Sequence, residues 1–229
     1  MKIEICAGNI EDIIIAEKMN IDRIELNQGL STGGLTPSYA LVKRALEISS
    51  KDIIVMIRPR EGSFTYTIEE YQIMKEDAIN FLKMNIKGIV FGFLNEDRSI
   101  DIEKTKEFIE LAKNFNKEAI FHRAIDVSND YQNNLKLLTK LGITRILTSG
   151  AATNATLGIE NIKKAIEQKF PIIIGCGINK DNIHLFKNLG AKEIHGSFSK
   201  KIPNKYHIDF GNYSILDQNV VLTIDFNTF

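Results

Sequence analysis

Arg58-Pro59-Arg60 closes an apolar run, Ile53 to Ile57, and so places two guanidinium groups at the end of a segment built to be buried. Burying a charge is costly unless it is paired or put to use. The same habit recurs along the chain. Cys6, Glu25, Asn27, His122, Arg123, Ser149, Cys176, His195 and Ser197 all stand in or at the ends of short apolar runs. Each type brings a chemistry. His122 and His195 carry the side chain that titrates nearest neutrality and so suit acid–base work. Glu25, kept ionised beside Arg58, could orient a histidine. Arg58 and Arg60 could clamp a carboxylate or phosphate bidentately. Gly175-Cys176-Gly177, leading into a helix near Asn179, and Gly196-Ser197 offer backbone N–H groups to an anion. Cys6 and Cys176 could share a soft ion such as Cu(I), with Met56 or a histidine. Plainer readings stand beside these: satisfied core histidines, a solvated Arg60, and buried, inert thiols without CxxC or HExxH spacing.

Such residues need a scaffold that gathers strand ends. The chain alternates β and α from end to end, with strands expected at 2–6, 21–26, 53–58, 87–92, 118–123, 143–148, 171–176 and 191–197. Helix starts are marked by Asn9 with Asp12, by Thr36-Pro37, by the capping box Thr67-Ile-Glu-Glu70, and by Asp101, Asp130, Thr156 and Asn179. Strands alternating with helices imply a parallel sheet, and eight of them suit a closed (β/α)8 TIM barrel, with an open doubly wound sheet as the alternative. The longer strand-to-helix connections, 27–35, 59–66, 93–100 and 149–155, mark the working face. The barrel occupies residues 1–200 as a single domain, and 201–229 reads as a C-terminal extension packing on it. That extension looks strand-like at Val220–Phe226 or starts a short helix near Asp217.

The period of two along a strand assigns the barrel interior, because the outer face packs on helices and is apolar. Ile3, Ile5, Ile24, Leu26, Val55, Ile57, Phe121 and Ile194 point outward. Glu4, Cys6, Arg23, Glu25, Asn27, Met56, Arg58, His122, Glu193, His195 and Ser197 then point inward, and Ile174 and Cys176 are assigned inward with them. Glu4, Arg23 and Glu193 lie low and read as a compensated ion-pair network. The upper residues converge on one mouth and read as the lining of a binding site.

Composition narrows the function classes. In 229 residues, Lys+Arg and Asp+Glu balance at 29 each, so no global field recruits nucleic acid or an anionic membrane. No segment approaches the roughly 20 apolar residues needed to span a bilayer. Two cysteines without a secretion signal point to a reducing cytoplasm.

Several segments together resemble the CutC copper homeostasis family. They are Ile24-Glu25-Leu26 with Gly33-Gly34-Leu35-Thr36-Pro37-Ser38, Met56-Ile57-Arg58-Pro59-Arg60, Met74-Lys75-Glu76-Asp77, Phe121-His122-Arg123-Ala124 with Asp126, Leu147-Thr148-Ser149-Gly150, and His195 with Ser197. The resemblance covers about residues 1–200. It implies a (β/α)8 barrel, a cytosolic protein, a link to copper tolerance and self-association as a homo-oligomer, a dimer or higher. Animal members carry cysteines in strands one and two that are proposed to bind Cu(I). Cys6 matches the first, Asn27 stands at the second, and Cys176 is the candidate replacement. The family's glycine triplet reads Gly175-Cys176-Gly177 here.

Two functions are therefore expected. One is copper homeostasis by Cu(I) binding, with Cys6 and Cys176 as metal ligands. The other is acid–base catalysis on a small anionic ligand, a phosphorylated or carboxylated metabolite. Its catalytic set is His122, Glu25, Arg58, Asp126 and His195, and its ligand-binding set is Asn27, Arg60, Arg123, Ser149, Gly150, Gly175, Gly177 and Ser197. A ligand-binding barrel without turnover is the third reading.

Overall fold

Side chains of alternating character along short strands demand two environments, and a closed sheet supplies both. In a computed structural model describing residues 1–202, 213–217 and 219, eight parallel strands close into a barrel in sequence order. They are β1 (Lys2–Ala7), β2 (Arg23–Leu26), β3 (Asp52–Met56), β4 (Gly88–Phe91), β5 (Glu118–Phe121), β6 (Arg145–Thr148), β7 (Ile172–Ile174) and β8 (Glu193–Gly196). The helices between them are α1 (Ile10–Glu17), α2 (Tyr39–Ile48), α3 (Ile68–Leu82), α4 (Ile102–Asn114), α5 (Tyr131–Leu141), α6 (Ile159–Glu167) and α7 (Ile183–Asn188). Among the described residues, no helix is long and apolar enough to cross a membrane.

Local chemistry starts most helices where the sequence places them. Asn9, Asp101 and Asp130 each accept a backbone N–H of their first turn, and Thr67 forms the full capping box with Glu70. Three starts shift. Ser38 rather than Thr36 caps α2, because Thr36 is held on the segment that follows β3, its Oγ1 accepting Arg58 N at 2.8 Å. Gly158 rather than Thr156 precedes α6. Asn182 rather than Asn179 precedes α7, which is only six residues long.

The outer core joins Ile3, Ile5, Ile24, Leu26, Val55, Ile57, Phe121 and Ile194 to the helices. A second apolar cluster fills one side of the interior with Ile54, Met56, Val90, Ile120, Leu147 and Ile173. Ile174 belongs to the outer core and Ile173 to the inner one, which corrects the assigned phase of β7. Three consecutive isoleucines hold no polar contrast from which a phase could be read. Below the inner cluster runs the expected ion-pair network. Arg23 Nε meets Glu4 Oε2 at 2.9 Å and its other arm meets Glu193. Arg145 and Glu118, which the strand phasing missed, extend it, with Arg145 bridging Glu118 and the expected Glu193.

After β8 the chain enters an antiparallel pair, β9 (Ser199–Ile202) with β10 (Tyr213–Leu216). Leu216 is buried in the outer core, its N–H donates to Asp12 Oδ1 at 2.7 Å, and Ser214 O accepts from Asn9. The tail thus docks on α1. Of the two tail expectations, Val220–Phe226 lies outside the described residues, as does most of the helix expected near Asp217.

Candidate functional site

The polar half of the interior is made by three neighbouring strands, β8, β1 and β2. Register alone sets Glu4 beside His195 across the β1–β8 seam and Cys6 beside Glu25 across β1–β2. His195 Nδ1 lies 2.9 Å from Glu4 Oε1, and its Nε2 faces Glu25 Oε1 at 4.0 Å. Cys6 Sγ is 3.7 Å from the same Glu25 oxygen. Asn27 Nδ2 donates to Glu25 Oε1 at 2.8 Å and to Cys6 Sγ at 3.3 Å. Cys6, Glu25 and His195 thereby bring one ligand atom each within 4.8 Å of one another.

Electrostatics follows from this packing. Burial opposes the charged form of His195, but the Glu25 charge and the hydrogen bonds of Cys6 and Glu4 overcome it and hold the imidazole well above its usual range. Burial would raise Glu4, yet His195, Arg23 and Arg145 outweigh it and hold the carboxyl at about 2. Glu25 is raised, chiefly by burial and also by Glu4, against the pull of His195. Burial pushes the Cys6 thiol up to about 11.

The opposite wall differs. His122 Nδ1 accepts the N–H of Ala124 at 3.2 Å, which leaves the ring proton on Nε2. Burial, then the charges of Arg58 and Arg123, lower His122 to about 3. It is therefore a neutral ring and not the group titrating near neutrality that was expected. Only a glycine fits beside it, because a Cβ at Gly92 would come 2.4 Å from His122 Cε1. Arg58 does not meet Glu25 either. Its Nη1 donates to Thr32 O and Gly34 O and its Nη2 to Gly62 O, so the 27–35 and 59–66 loops wrap the guanidinium with carbonyls.

Several other expected site residues spend their polar groups on their own loops. Arg60 is consumed by Glu70 and by the carbonyls of Glu61, Ser63 and Thr65, and it closes its own loop instead of clamping an anion. Asp126 accepts from Thr148 Oγ1, Ser149 N and Oγ, Ala151 N and Arg123 Nε, so its lone pairs are spent on the loop after β6. Ser149 is fully buried against it, its single hydroxyl proton shared between Asp126 Oδ2 and Ala152 O. Gly150 packs on Gly158, where a Cβ would meet the Gly158 carbonyl at 2.3 Å. Gly175 lies against Leu147 and the His195 ring. Cys176 stands at the rim, but its thiol is on Thr153 O at 3.2 Å, and the structure does not bring it into the Cys6 group. The loop after β7 uses its polar groups internally: Asn182 Oδ1 accepts Asn179 N, and its Nδ2 donates to Gly177 O.

What remains lines a cavity of about 800 Å³ at the C-terminal end of the strands. Cys6, Glu25, Asn27 and His195 form one wall, and Met56, Arg58, Phe64, His122 and Leu147 another. Arg123, Gly177, Ser197 and the tail residues Ser199, Lys201 and Ser214 form the rim. Phe64 was not anticipated, although a lone aromatic between Glu61-Gly62-Ser63 and Thr65 was a visible signal.

A donor set of thiol, imidazole and carboxylate fits a metal ion. Thiolate and imidazole suit Cu(I), and the carboxylate extends the set toward harder ions such as Zn²⁺. Glu4 on the far nitrogen of His195 is the carboxylate–histidine support common behind ligating histidines. Asn27 presents its amide nitrogen to the trio, so it positions Cys6 and Glu25 and does not ligate. Where the resemblance implies a second thiol, the geometry supplies Glu25 and His195.

Comparison with known proteins agrees with this architecture. A chain from Treponema denticola named family protein CutC is 40% identical over 205 residues, covering 88% of this chain and 82% of its own. Its counterpart from Glaesserella parasuis is 39% identical over 201 residues, covering 86% and 82%. The crystal structure of CutC from Streptococcus agalactiae, provisionally named a copper homeostasis protein, superposes with a TM-score of 0.79 at 32% identity, covering 86% of this chain and 98% of that one. Phosphoribosyl anthranilate isomerase from Thermococcus kodakaraensis shares the fold alone, at a TM-score of 0.58 and 11% identity. The CutC family model matches residues 1–200, and with these relatives it places the chain in the CutC family.

Proposed function

We propose that this chain serves copper homeostasis by holding Cu(I) in the barrel mouth, with Cys6 and His195 as ligands and Glu25 as a third donor. One observation carries the reading: the three side chains, from three adjacent strands, converge within 4.8 Å of one another. When bound, the metal supplies a soft Lewis acid at the cavity floor. The chain's own part is to offer Cys6 Sγ and His195 Nε2, whose protons a bound metal would displace, to hold Nδ1 on Glu4, and to orient Glu25 through Asn27. An anaerobic Cu(I) titration against a competing chelator tests it. One equivalent is expected in the wild type and in Cys176→Ser, and none in Cys6→Ser. Unchanged stoichiometry in Cys6→Ser sinks the proposal.

A second reading is favoured by the size of the cavity. About 800 Å³ lies in the range of small-molecule sites and far exceeds what an ion needs. In that reading Glu25 and His195 exchange protons with a small anionic metabolite. Turnover that survives complete metal removal, and collapses in Glu25→Gln with the fold intact, would support it over the metal reading.

A further inference from the structure

Arg58 is 5% exposed and forms no ion pair among the described residues; its guanidinium donates to the carbonyl oxygens of Thr32, Gly34 and Gly62. A buried cation without a counter-ion is costly, and native structures keep such groups where something arrives to use them. The cost is compounded next door. Arg58 Nε and His122 Nε2 are both buried without a hydrogen-bond partner. One side chain touches both: the Phe64 ring lies 5.2 Å under the Arg58 guanidinium and 4.8 Å from the His122 ring. A ring face is a weak acceptor for N–H groups. Phe64 is itself half-buried, lines the cavity, and sits in a loop whose preceding residues Glu61, Gly62 and Ser63 are exposed.

We propose that the cavity wall carrying Arg58 and His122 is a subsite for one oxyanion, a carboxylate or phosphate group of a small organic molecule, and that Phe64 covers it until that group arrives. The donors match the task. His122 stays neutral and holds its proton on Nε2, because its Nδ1 accepts from Ala124, so the ring can only donate there. Arg58 adds a fixed positive charge. Tyr66 beside it supplies no counter-charge, since burial raises its phenol to about 12. Two cations stand toward the rim: Arg123, ion-paired with Asp126 but with a side chain 39% exposed and, among the described residues, no hydrogen bond on Nη1, and Lys201 further out. Opposite stands the Cys6–Glu25–His195 wall, so an oxyanion anchored under Phe64 would extend the rest of its molecule toward that trio. The inference rests on the small-molecule reading of the cavity only in sharing its space, and it requires neither a metal nor turnover.

The test is calorimetric titration of the metal-free, full-length protein with inorganic phosphate and, separately, with succinate. Binding of at least one probe is expected, and the tighter one identifies the oxyanion. Phe64→Ala should tighten that binding. His122→Asn keeps an acceptor for the Ala124 N–H but loses the Nε2 donor, and should weaken binding about tenfold, the worth of one hydrogen bond to a charged group. Because the protein is metal-free throughout, probe binding is read independently of the metal reading, which the Cu(I) titration alone tests. Oxyanion binding without any turnover would leave the subsite standing and remove only the enzyme reading. No binding of either probe at tens of millimolar, in both wild type and Phe64→Ala, overturns the proposal. So does binding that is indifferent to His122→Asn.

Discussion

Asp126→Asn separates a structural carboxylate from a working one. Asp126 was expected to be catalytic, yet its side chain is 3% exposed and both oxygens are occupied. Oδ1 accepts Thr148 Oγ1 at 2.6 Å, Ser149 N at 3.0 Å and Ala151 N at 3.1 Å. Oδ2 accepts Arg123 Nε and Ser149 Oγ, each at 2.9 Å. An asparagine that keeps its oxygen in the Oδ1 position preserves the first three bonds but strips their charge assistance, about 1 kcal/mol each. Its amide nitrogen then faces Arg123 Nε–H donor to donor, and the half-exposed ion pair is lost for a further ~0.5 kcal/mol. The sum is about 3.5 kcal/mol of stability. In urea, with a slope of about 1–3 kcal/mol per molar, the midpoint should fall by roughly 1 M or more at unchanged slope. Oxyanion and metal binding should persist below the transition. A midpoint unmoved by the substitution, together with lost ligand binding, would refute this reasoning and return Asp126 to the site.

Three further outcomes follow from other contacts. Glu4→Gln should weaken Cu(I) affinity about 10–100-fold in the chelator competition while leaving stoichiometry at one, because the support behind His195 goes but the ligands stay. Arg23→Met leaves Glu4 and Glu193 short of a cation. With Arg145 and His195 still nearby, the loss should fall near 3 kcal/mol, or a melting temperature lower by about 10 °C. His122 stays neutral in the fold down to about pH 3, whereas the unfolded ring takes its proton near pH 6.5. Its contribution is complete above 6.5 and is lost as pH falls from there toward 3, by at most about 1.4 kcal/mol per pH unit. His122→Asn should flatten that limb of a plot of urea midpoint against pH.

The barrel was legible because most strands mix polar and apolar residues, and the period of two then fixes the phase. Glu4, Arg23, Glu25, Arg58, His122 and His195 all fall on the predicted face. The phase failed in β7, where Ile172, Ile173 and Ile174 are chemically alike. The site was legible as a set of residues but not as pairings. That Glu25 faces His195 and not Arg58 depends on which strands meet when the sheet closes, and nothing local encodes it. Loop satisfaction was equally hidden. Arg60 looks free in the sequence, but its partner Glu70 is the N3 residue of a capping box, so one carboxylate serves both the helix start and the loop.

The β1–β8 seam has a consequence in time. Within the barrel, Glu4 and Cys6 stand on the first strand, and His195 is 191 residues behind Glu4 on the last. The trio cannot exist until almost the whole barrel has been made and its last strand has closed on its first. Contacts of such sequence separation form late and slowly. A half-folded chain therefore lacks the assembled ligand set, because Cys6 and Glu25 have not yet met His195. Whatever binds there binds only closed barrels, so its binding energy adds to the stability of the whole fold and not to one loop. Occupancy of the mouth is, in effect, proof that the ring is complete.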